Sequence, residues 1–223
     1  MPIQKITKIV SYKERVCDVL KRAITRNELK GGEMINERAL SEQFGISRTP
    51  IREALKSLES EGWIESSPFR GTWVKQIDPE DIREIYQMRL ALEPLAAELA
   101  IRQATDRERR KLMQLAAQQV ADTGLSDTIR FTQADMEFHL YLARLSGNAI
   151  LLKTLSGFMD LMSWYLVQTI RRVQPCSVPM QEHEAIAAAV CRGDVSAARR
   201  ASEEHIRRGY ETAVQNIKQT KEG

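Results

Sequence analysis

The sequence has few cysteines, prolines and glycines, the residues that cross-link a chain or interrupt its helices and strands. Its 223 residues include only 3 cysteines, 7 prolines and 11 glycines. Cys17, Cys176 and Cys191 are odd in number and form no CxxC pair, which argues against a disulfide framework or a zinc knuckle and favours a reducing compartment. No run of 18 apolar residues occurs, and the first residues lack the apolar core of a signal peptide. We therefore expect a cytoplasmic protein without a membrane span.

A strong charge of one sign is also missing. The 33 basic and 30 acidic side chains give a net charge of +3. The charge divides unevenly, because residues 1–76 carry 14 basic and 10 acidic residues (+4), whereas 77–223 carry 19 and 20 (−1). The composition changes near Gln76, and we predict two domains, 1–76 and 77–223. The excess of positive charge in the first domain is a mild signal for a polyanionic partner.

The first domain contains well-marked helix boundaries. Asn36 is suited to cap a short helix that Gly45 ends, and Pro50 falls in the first turn of the next helix, where its missing N–H costs nothing. A Pro/Gly turn at 68–71 then joins two β-rich stretches. These signals predict helices over 11–26, 37–44 and 47–61 and a hairpin over 63–74. That order is typical of a winged helix-turn-helix.

The third predicted helix carries cations on one face. Arg48, Arg52 and Lys56 are spaced four apart, opposite the apolar stripe that includes Ile51 and Leu55. Like charges at this spacing cost about 0.2–0.5 kcal/mol per pair, which DNA phosphates or guanine edges would relieve. The alternative is an ordinary solvated helix face.

Other residues of the first domain are candidate DNA contacts. Arg38 could reach backbone phosphates, and Arg70 with Gly71 at the hairpin tip could enter the minor groove. Ser47 and Thr49 lie at a helix N-terminus, where they could bind phosphate or simply cap the helix.

The second domain has the pattern of an all-α antiparallel bundle. Boundary signals such as Asp78-Pro79, Gly147-Asn148 and Gly193-Asp194 predict six helices, at 79–103, 106–122, 126–146, 149–173, 179–191 and 194–219. Pro94 lies within the first of them, where a kink is possible. Ligand sites in such bundles lie between the helices.

All three histidines of the chain lie in this bundle domain. Asp135 and His139 are four residues apart on one helix, and His183 and His205 lie on two others. Three imidazoles and a carboxylate can converge on a divalent ion; imidazole suits Zn, Ni, Cu and Fe, and the carboxylate admits Mn. Spacing alone leaves open the more ordinary alternative of hydrogen-bonded helix-surface pairs.

Segment 36–64 (NERALSEQFGISRTPIREALKSLESEGWI), followed by RGTWV at 70–74, resembles the DNA-binding domain of the GntR family of bacterial transcription regulators. The run SRTPIREAL at 47–55 is highly specific. The resemblance implies dimeric binding to a palindromic operator, and it implies DNA contact at Arg38, Arg48, Arg52 and Gly71, with Thr49 and Arg70. Phe69 departs from the pattern, because many relatives have a small or polar residue there.

The second domain resembles FCD, the helical effector domain of one large GntR subgroup. The matching segments are MRLALEPLAA (88–97), DMEFH (135–139), SGN (146–148) and HEAI (183–186). The resemblance implies a divalent transition metal, with Zn, Ni or Mn possible, bound by Asp135, His139, His183 and His205.

A small organic or sugar acid would then be the effector at the open metal positions. Arg89 is predicted either to anchor its carboxylate or to pair with Glu93, and Asn148 either to contact it or to cap a helix. Glu137 and Glu182 are predicted to point away from the metal.

The function we predict is DNA-binding regulation by a homodimeric repressor or activator. The alternatives are a regulator for which the metal ion itself is the signal and, from another class, a metallohydrolase. The sequence contains no HExxH, P-loop, GxGxxG or nucleophile elbow, so we do not expect an enzyme.

Overall fold

The computed structural model of the chain describes residues 11–122, 128–170 and 178–221. Contacts divide it into two compact units, residues 1–76 and 77–223. Among the described residues, no helix is both long enough and apolar enough to cross a membrane.

The first unit is a winged helix-turn-helix. Its elements are α1 (Tyr12–Thr25), β1 (Met34–Ile35), α2 (Glu37–Phe44), α3 (Arg48–Ser60), β2 (Ile64–Ser67) and β3 (Gly71–Val74). Asn36 caps α2 as predicted, accepting hydrogen bonds from the backbone N–H groups of Arg38 and Ala39. Gly45 ends that helix with a φ of +65°, in the left-handed region that glycine tolerates.

The three strands form one antiparallel sheet in the order β1-β3-β2. Ile64 pairs with Val74 and Ser67 with Gly71, so β2 and β3 form the predicted hairpin. The strand β1 was not predicted; its Met34 pairs with Trp73 on the other edge of β3. Beneath the sheet and α3 lies a core of fully buried apolar side chains: Leu20, Ile24, Ile51, Leu58, Trp63, Ile64 and Val74.

The second unit consists of six helices in the part that is described. They are α4 (Pro79–Gln103), α5 (Asp106–Asp122), α6 (Thr128–Leu145), α7 (Ala149–Ile170), α8 (Val178–Arg192) and α9 (Val195–Lys221). Asp78 caps α4 through a capping box with Asp81. The helix continues through Pro94, which is buried within it. The predicted start of α6 at 126 and the predicted end of α7 at 173 lie outside the described residues.

Candidate metal centre and DNA-reading surface

The cationic face of α3 is confirmed by the structure of the first unit. Arg48, Arg52 and Lys56 are all exposed, whereas Ile51 and Leu55 of the same helix are buried. The apolar stripe packs α3 onto α1, so the opposite face, with its three cations, is turned to solvent.

An acid that the sequence reasoning passed over orients one of these cations. Glu37, the first residue of α2, accepts a hydrogen bond at 2.8 Å from Arg52 Nε. Glu37 contacts only Nε, so the two terminal guanidinium nitrogens of Arg52 take no part in this pair. A guanidinium held through Nε presents its outer edge in a fixed direction, which suits bidentate binding of a guanine. Arg38 is paired within α2, through Nε and Glu42 at 2.9 Å.

The N-terminus of α3 presents two hydroxyl residues. Ser47 occupies the N-cap position, but its side chain makes no capping hydrogen bond. The hydroxyl of Ser47 and the exposed side chain of Thr49 are thus placed at a helix end where backbone N–H groups attract phosphate. Capping, the ordinary role for Ser47, is not what its hydroxyl does here.

The hairpin presents the remaining candidates at its tip. Arg70 and Gly71 are exposed. Gly71 has a φ of +84°, and a Cβ on it would lie 2.9 Å from Met34 Cε, so the position accepts only glycine without rearrangement. Side chains from both strands stiffen the hairpin, because Ser66 and Thr72 hydrogen bond at 3.2 Å and Trp73 donates to Glu65 at 2.9 Å.

In the second unit, the four predicted metal ligands converge. Asp135 and His139 lie on α6, His183 on α8 and His205 on α9, and all four are buried. The three histidine Nε2 atoms are mutually 3.2 Å apart. Asp135 Oδ1 lies 3.5 Å from His183 Nε2 and 3.8 Å from His139 Nε2. The Phe138 ring stacks on His183 with centroids 4.2 Å apart and closes one side of the cluster.

Two glutamates that contact the outer nitrogens of these rings were not predicted. Glu182 Oε2 lies 2.9 Å from His205 Nδ1, and Glu93 Oε2 lies 2.7 Å from His139 Nδ1 in a contact bent away from hydrogen-bond alignment. Glu182 is not one of the four converging ligands, but its contact with the outer nitrogen of one of them was not foreseen. It precedes His183 on α8, yet its side chain extends towards α9, where it also accepts from Arg208 Nη1 at 2.7 Å.

These carboxylates favour a proton on the outer nitrogen of two rings: Glu182 through a hydrogen bond to His205, and Glu93 through its charge beside His139. An anionic carboxylate beside Nδ1 favours the N–H there, which leaves Nε2 with its lone pair. The lone pairs of His139 and His205 consequently point towards the centre of the cluster. Converging lone pairs repel each other unless a cation or a proton lies between them, so the arrangement fits a metal site.

Arg89 forms the pair with Glu93 that was one of its two predicted roles. It is 3% exposed, pairs through Nε with Glu93 at 2.5 Å, and places Nη2 3.1 Å from His139 Nε2. The pair with Glu93 is thus structural, while the other end of the same guanidinium lies at the edge of the cluster. Burial opposes the charged form of Arg89, but Glu93 outweighs it and holds the pKa of Arg89 above its ordinary value.

The buried charges of the cluster do not cancel without a cation. Arg89 and Glu93 neutralise each other, which leaves Asp135 as a buried carboxylate. Burial opposes its ionisation, but the neighbouring histidines, His139 first, hold the pKa of Asp135 below its usual range. Burial, together with the other two imidazoles, depresses the pKa of His183, and burial also lowers the pKa of His205.

His139 differs from its two partners. Burial alone would lower its pKa, but Glu93 and Asp135 together raise it above the ordinary histidine value. His139 is thus the imidazole whose protonated form its surroundings favour most, and a divalent ion at Nε2 would compete with that proton.

The spacing of the nitrogens also fits one ion. Two nitrogens bound about 2.1 Å from a metal are separated by about 3.0 Å at a right angle and by about 3.4 Å at a tetrahedral angle. The observed 3.2 Å lies between these values for all three pairs. The donor set of three imidazoles and one carboxylate suits a divalent transition metal.

The other predicted effector residue, Asn148, lies at a helix end on the surface. Asn148 is exposed and caps α7, accepting from the backbone N–H groups of Ile150 and Leu151. This is the capping alternative. Glu137 is exposed and points away from the cluster, as expected, to line an open cleft with Lys111 and Tyr141.

Both units match known families. Residues 12–74 match the model of bacterial regulatory proteins of the gntR family, and residues 84–208 match that of the FCD domain. The chain is thus a DNA-binding transcription regulator, and it belongs to the GntR family and, within it, to the FCD subgroup.

Individual relatives agree with this assignment. The chain is 30% identical over 188 residues to the uncharacterized HTH-type transcriptional regulator YdhC of Bacillus subtilis, covering 82% of each chain. It is 27% identical over 223 residues to the HTH-type transcriptional repressor NanR of Cronobacter sakazakii, covering 89% of this chain and 84% of the relative. The solved structure of McbR/YncC from Escherichia coli has the same fold, with a TM-score of 0.78 at 23% identity over 94% of this chain and all of that one.

Proposed function

We propose that this regulator binds its operator under the control of a small organic or sugar acid, which occupies a metal site in the helical unit. The observation that carries the proposal is the convergence of three histidine Nε2 atoms, mutually 3.2 Å apart, with the Asp135 carboxylate inside the bundle. When bound, the metal would supply open coordination positions for an oxygen ligand of the effector.

Arg89 is the protein group that we assign to the effector's carboxylate. Its Nη2 lies 3.1 Å from His139 Nε2, so a ligand at the cluster comes within reach of a buried guanidinium already oriented by Glu93. A planar guanidinium binds a carboxylate through two parallel hydrogen bonds. Asn148, which caps α7 from an exposed position, would contribute only if that cap opened.

On DNA, we assign base contacts to the exposed face of α3. Arg48, Arg52 and Lys56 would lie in the major groove, with Arg52 oriented by Glu37. Ser47, Thr49 and Arg38 would position the unit on phosphates, and the hairpin tip with Arg70 and Gly71 would reach the minor groove. A homodimer would place two such units on a palindromic operator, and effector binding would change operator affinity by about 1–3 kcal/mol in either direction, with repression as the expected mode.

The first test is metal analysis of the purified protein, followed by a thermal-shift screen of carboxylates. A ligand at 100 times its dissociation constant should stabilise the protein by about 2.7 kcal/mol. We expect a stoichiometric divalent metal and at least one stabilising acid, whose effect disappears in Arg89→Ala. A protein that takes up no metal in any buffer would overturn the metal-site part of the proposal.

The second test separates the two units. Arg48→Ala and Arg52→Ala should abolish specific operator binding, while His139→Ala should leave it intact and remove metal binding. Loss of operator recognition by a folded His139→Ala protein would contradict this division.

The same observation supports a second candidate, in which the metal itself is the signal. The buried cluster alone does not distinguish a resident ion from a sensed one. Operator affinity measured with metal but without acid decides between them. A sensor changes its affinity on metal addition alone, whereas an acid-responsive regulator changes it only when the acid is added.

A further inference from the structure

The tip of the hairpin carries an aromatic side chain with no packing partner in its own unit. Phe69 is 99% exposed, more than any other large hydrophobic residue in the described part of the chain. The next most exposed, Ile150, is at 79% and lies in the helical unit. Single exposed apolar residues are common on protein surfaces, so the position of Phe69 at the hairpin tip, and not its exposure alone, indicates its role.

The local turn does not require this residue. The backbone N–H of Arg70 donates to the Ser67 carbonyl at 3.2 Å, which closes a turn with Pro68 and Phe69 at its centre. Pro68 fixes its own φ and suits the first central position. The second central position favours Asn, Asp, Ser or Gly, because their side chains are small or hydrogen bond locally. A small polar residue would therefore suit this turn better than phenylalanine does.

The ring is held at the end of a stiff support. The Ser66–Thr72 and Trp73–Glu65 hydrogen bonds tie the two strands together, and β3 is paired on both edges. Val74 and Ile64 at the base of the hairpin are buried in the core of the unit. Folding of Phe69 back onto that core would require the hairpin to separate from it.

The neighbours of the ring indicate what it meets. Arg70 follows it and is exposed, and no acidic residue lies between Ser66 and Trp73. The nearest acid, Glu65, is engaged by the Trp73 indole. A cation beside an apolar ring matches the minor groove of DNA, where arginine is attracted by the negative potential and an apolar side chain can enter between base pairs.

We propose that Phe69 inserts at a base step in the minor groove beside the sequence read by α3, with Arg70 on the adjoining phosphates or groove floor. This rests on the proposed mode of DNA binding. Insertion unstacks one step, and pyrimidine–purine steps (TA and CA/TG) unstack most easily. Phe69 thereby adds sequence preference at a position where no side chain reads a base edge.

The test uses the full-length protein and a library of random 30-base-pair duplexes. Wild-type protein, Phe69→Ala and Phe69→Leu are each taken through rounds of selection. We expect the wild type to enrich two half-sites flanked by TA or CA/TG steps. We expect Phe69→Ala to enrich the same half-sites without the flanking preference and to bind the wild-type sequence about tenfold more weakly, the order of effect expected for losing one aromatic–base stack. Phe69→Leu retains an apolar side chain that can insert, and it should keep part of the flanking preference and part of the affinity.

A spectroscopic measurement separates insertion from packing against the sugar. 2-Aminopurine placed at the flanking step should brighten when the wild type binds, because the base is unstacked, and should not brighten with Phe69→Ala at saturation. Since Phe69 is wholly exposed, the variants should melt at the wild-type temperature.

Several results would overturn the inference. Identical enriched sequences and equal affinities for wild type and Phe69→Ala would show that the ring does not act on DNA. A change of sedimentation in Phe69→Ala would show that the ring serves protein association instead. If the wild type enriched no sequence, the proposed operator recognition would be wrong as well. That result is distinct from a loss of the flanking preference in Phe69→Ala alone.

Discussion

At the scale of single residues, the proposed metal site depends on the carboxylates that contact the outer nitrogens of its histidines. Glu93 contacts both Arg89 and His139 and is 3% exposed. Burial would raise its pKa, but Arg89 and His139 hold the pKa of Glu93 below the ordinary value, so it is anionic at neutral pH. Its charge favours a proton on His139 Nδ1, and its hydrogen bond with Arg89 orients the guanidinium.

Glu93→Gln should therefore weaken metal binding as well as the fold. The contact with the outer nitrogen of a histidine ligand is worth about 10–100-fold in metal affinity. Removing one partner of a buried ion pair costs about 3–5 kcal/mol, because Arg89 is left uncompensated. Metal titration and thermal melting measure the two effects. Glu98→Gln is the matched control, since this half-buried residue of α4 pairs with Arg102 and Arg199 away from the cluster. Equal metal affinities for the two variants would count against the assigned role.

The unequal pKa values of the three histidines give a second residue-scale prediction. Of the three, only His139 has a raised pKa, whereas burial lowers the pKa of His183 and of His205. Metal binding near neutral pH should accordingly release about one proton, not three. Affinity should fall about tenfold per pH unit as the pH drops below the pKa of His139. Calorimetric titration in buffers of different ionisation enthalpy measures the number released. Three protons would mean that all three rings are charged in the metal-free state.

At the scale of elements, most helix boundaries could be read from local chemistry. Asn36, Gly45, Asp78 and the residues around Gly193 end or begin helices through their own side-chain or backbone conformations, so the sequence predicts α2 and α4 to the residue. The strand β1 could not be predicted, because two residues carry no period and its pairing with β3 is set by the fold. The sequence marked Pro94 as a position where α4 could bend; the helix is continuous from Pro79 to Gln103 across this residue.

In the candidate site, too, some residues could be predicted from the sequence, and others could not because their contacts depend on tertiary packing. Asp135 and His139 could be placed on one helical face from their spacing, and the FCD resemblance supplied the partners on α8 and α9. Glu93 and Glu182 could not be found this way, because their contacts depend on how α4, α6, α8 and α9 are rotated against one another. Glu37 and Arg52 are 15 residues apart on different helices, and no periodicity relates them.

The packing of α3 on α1 permits a prediction at this scale. Leu58 has no exposed surface, and Leu→Ala at such a site costs about 2–5 kcal/mol through lost burial and the remaining cavity. Leu58→Ala should destabilise the DNA-binding unit by that amount and weaken operator binding at temperatures near its melting point. Val19→Ala on the exposed side of α1 is the control, for which we expect less than about 0.5 kcal/mol. Chemical denaturation followed by circular dichroism compares them. Equal midpoints would mean that α3 does not rest on this core.

At the scale of the whole molecule, the two units depend on different interactions for their stability. Aliphatic side chains and Trp63 form the core of the DNA-binding unit. The helical unit has an extensive apolar core too, but it also buries Asp135, three imidazoles and the Arg89–Glu93 pair. Buried polar groups of this kind stabilise a fold only when all are satisfied, so we expect the proposed metal to stabilise the helical unit and not the DNA-binding unit.

Removal of the metal should therefore act on the helical unit. A metal at 100 times its dissociation constant contributes about 2.7 kcal/mol, and each kcal/mol shifts the melting temperature of a unit of this size by about 2–4 °C. Scanning calorimetry with and without EDTA should show the transition of residues 77–223 lowered by about 5–10 °C. His139→Ala should already melt at the lower temperature and should not respond to EDTA. A site that has lost one of its converging nitrogens no longer holds the metal against a chelator. If EDTA lowered the melting temperature of His139→Ala by about the same 5–10 °C, the ion would therefore be bound somewhere other than at these histidines.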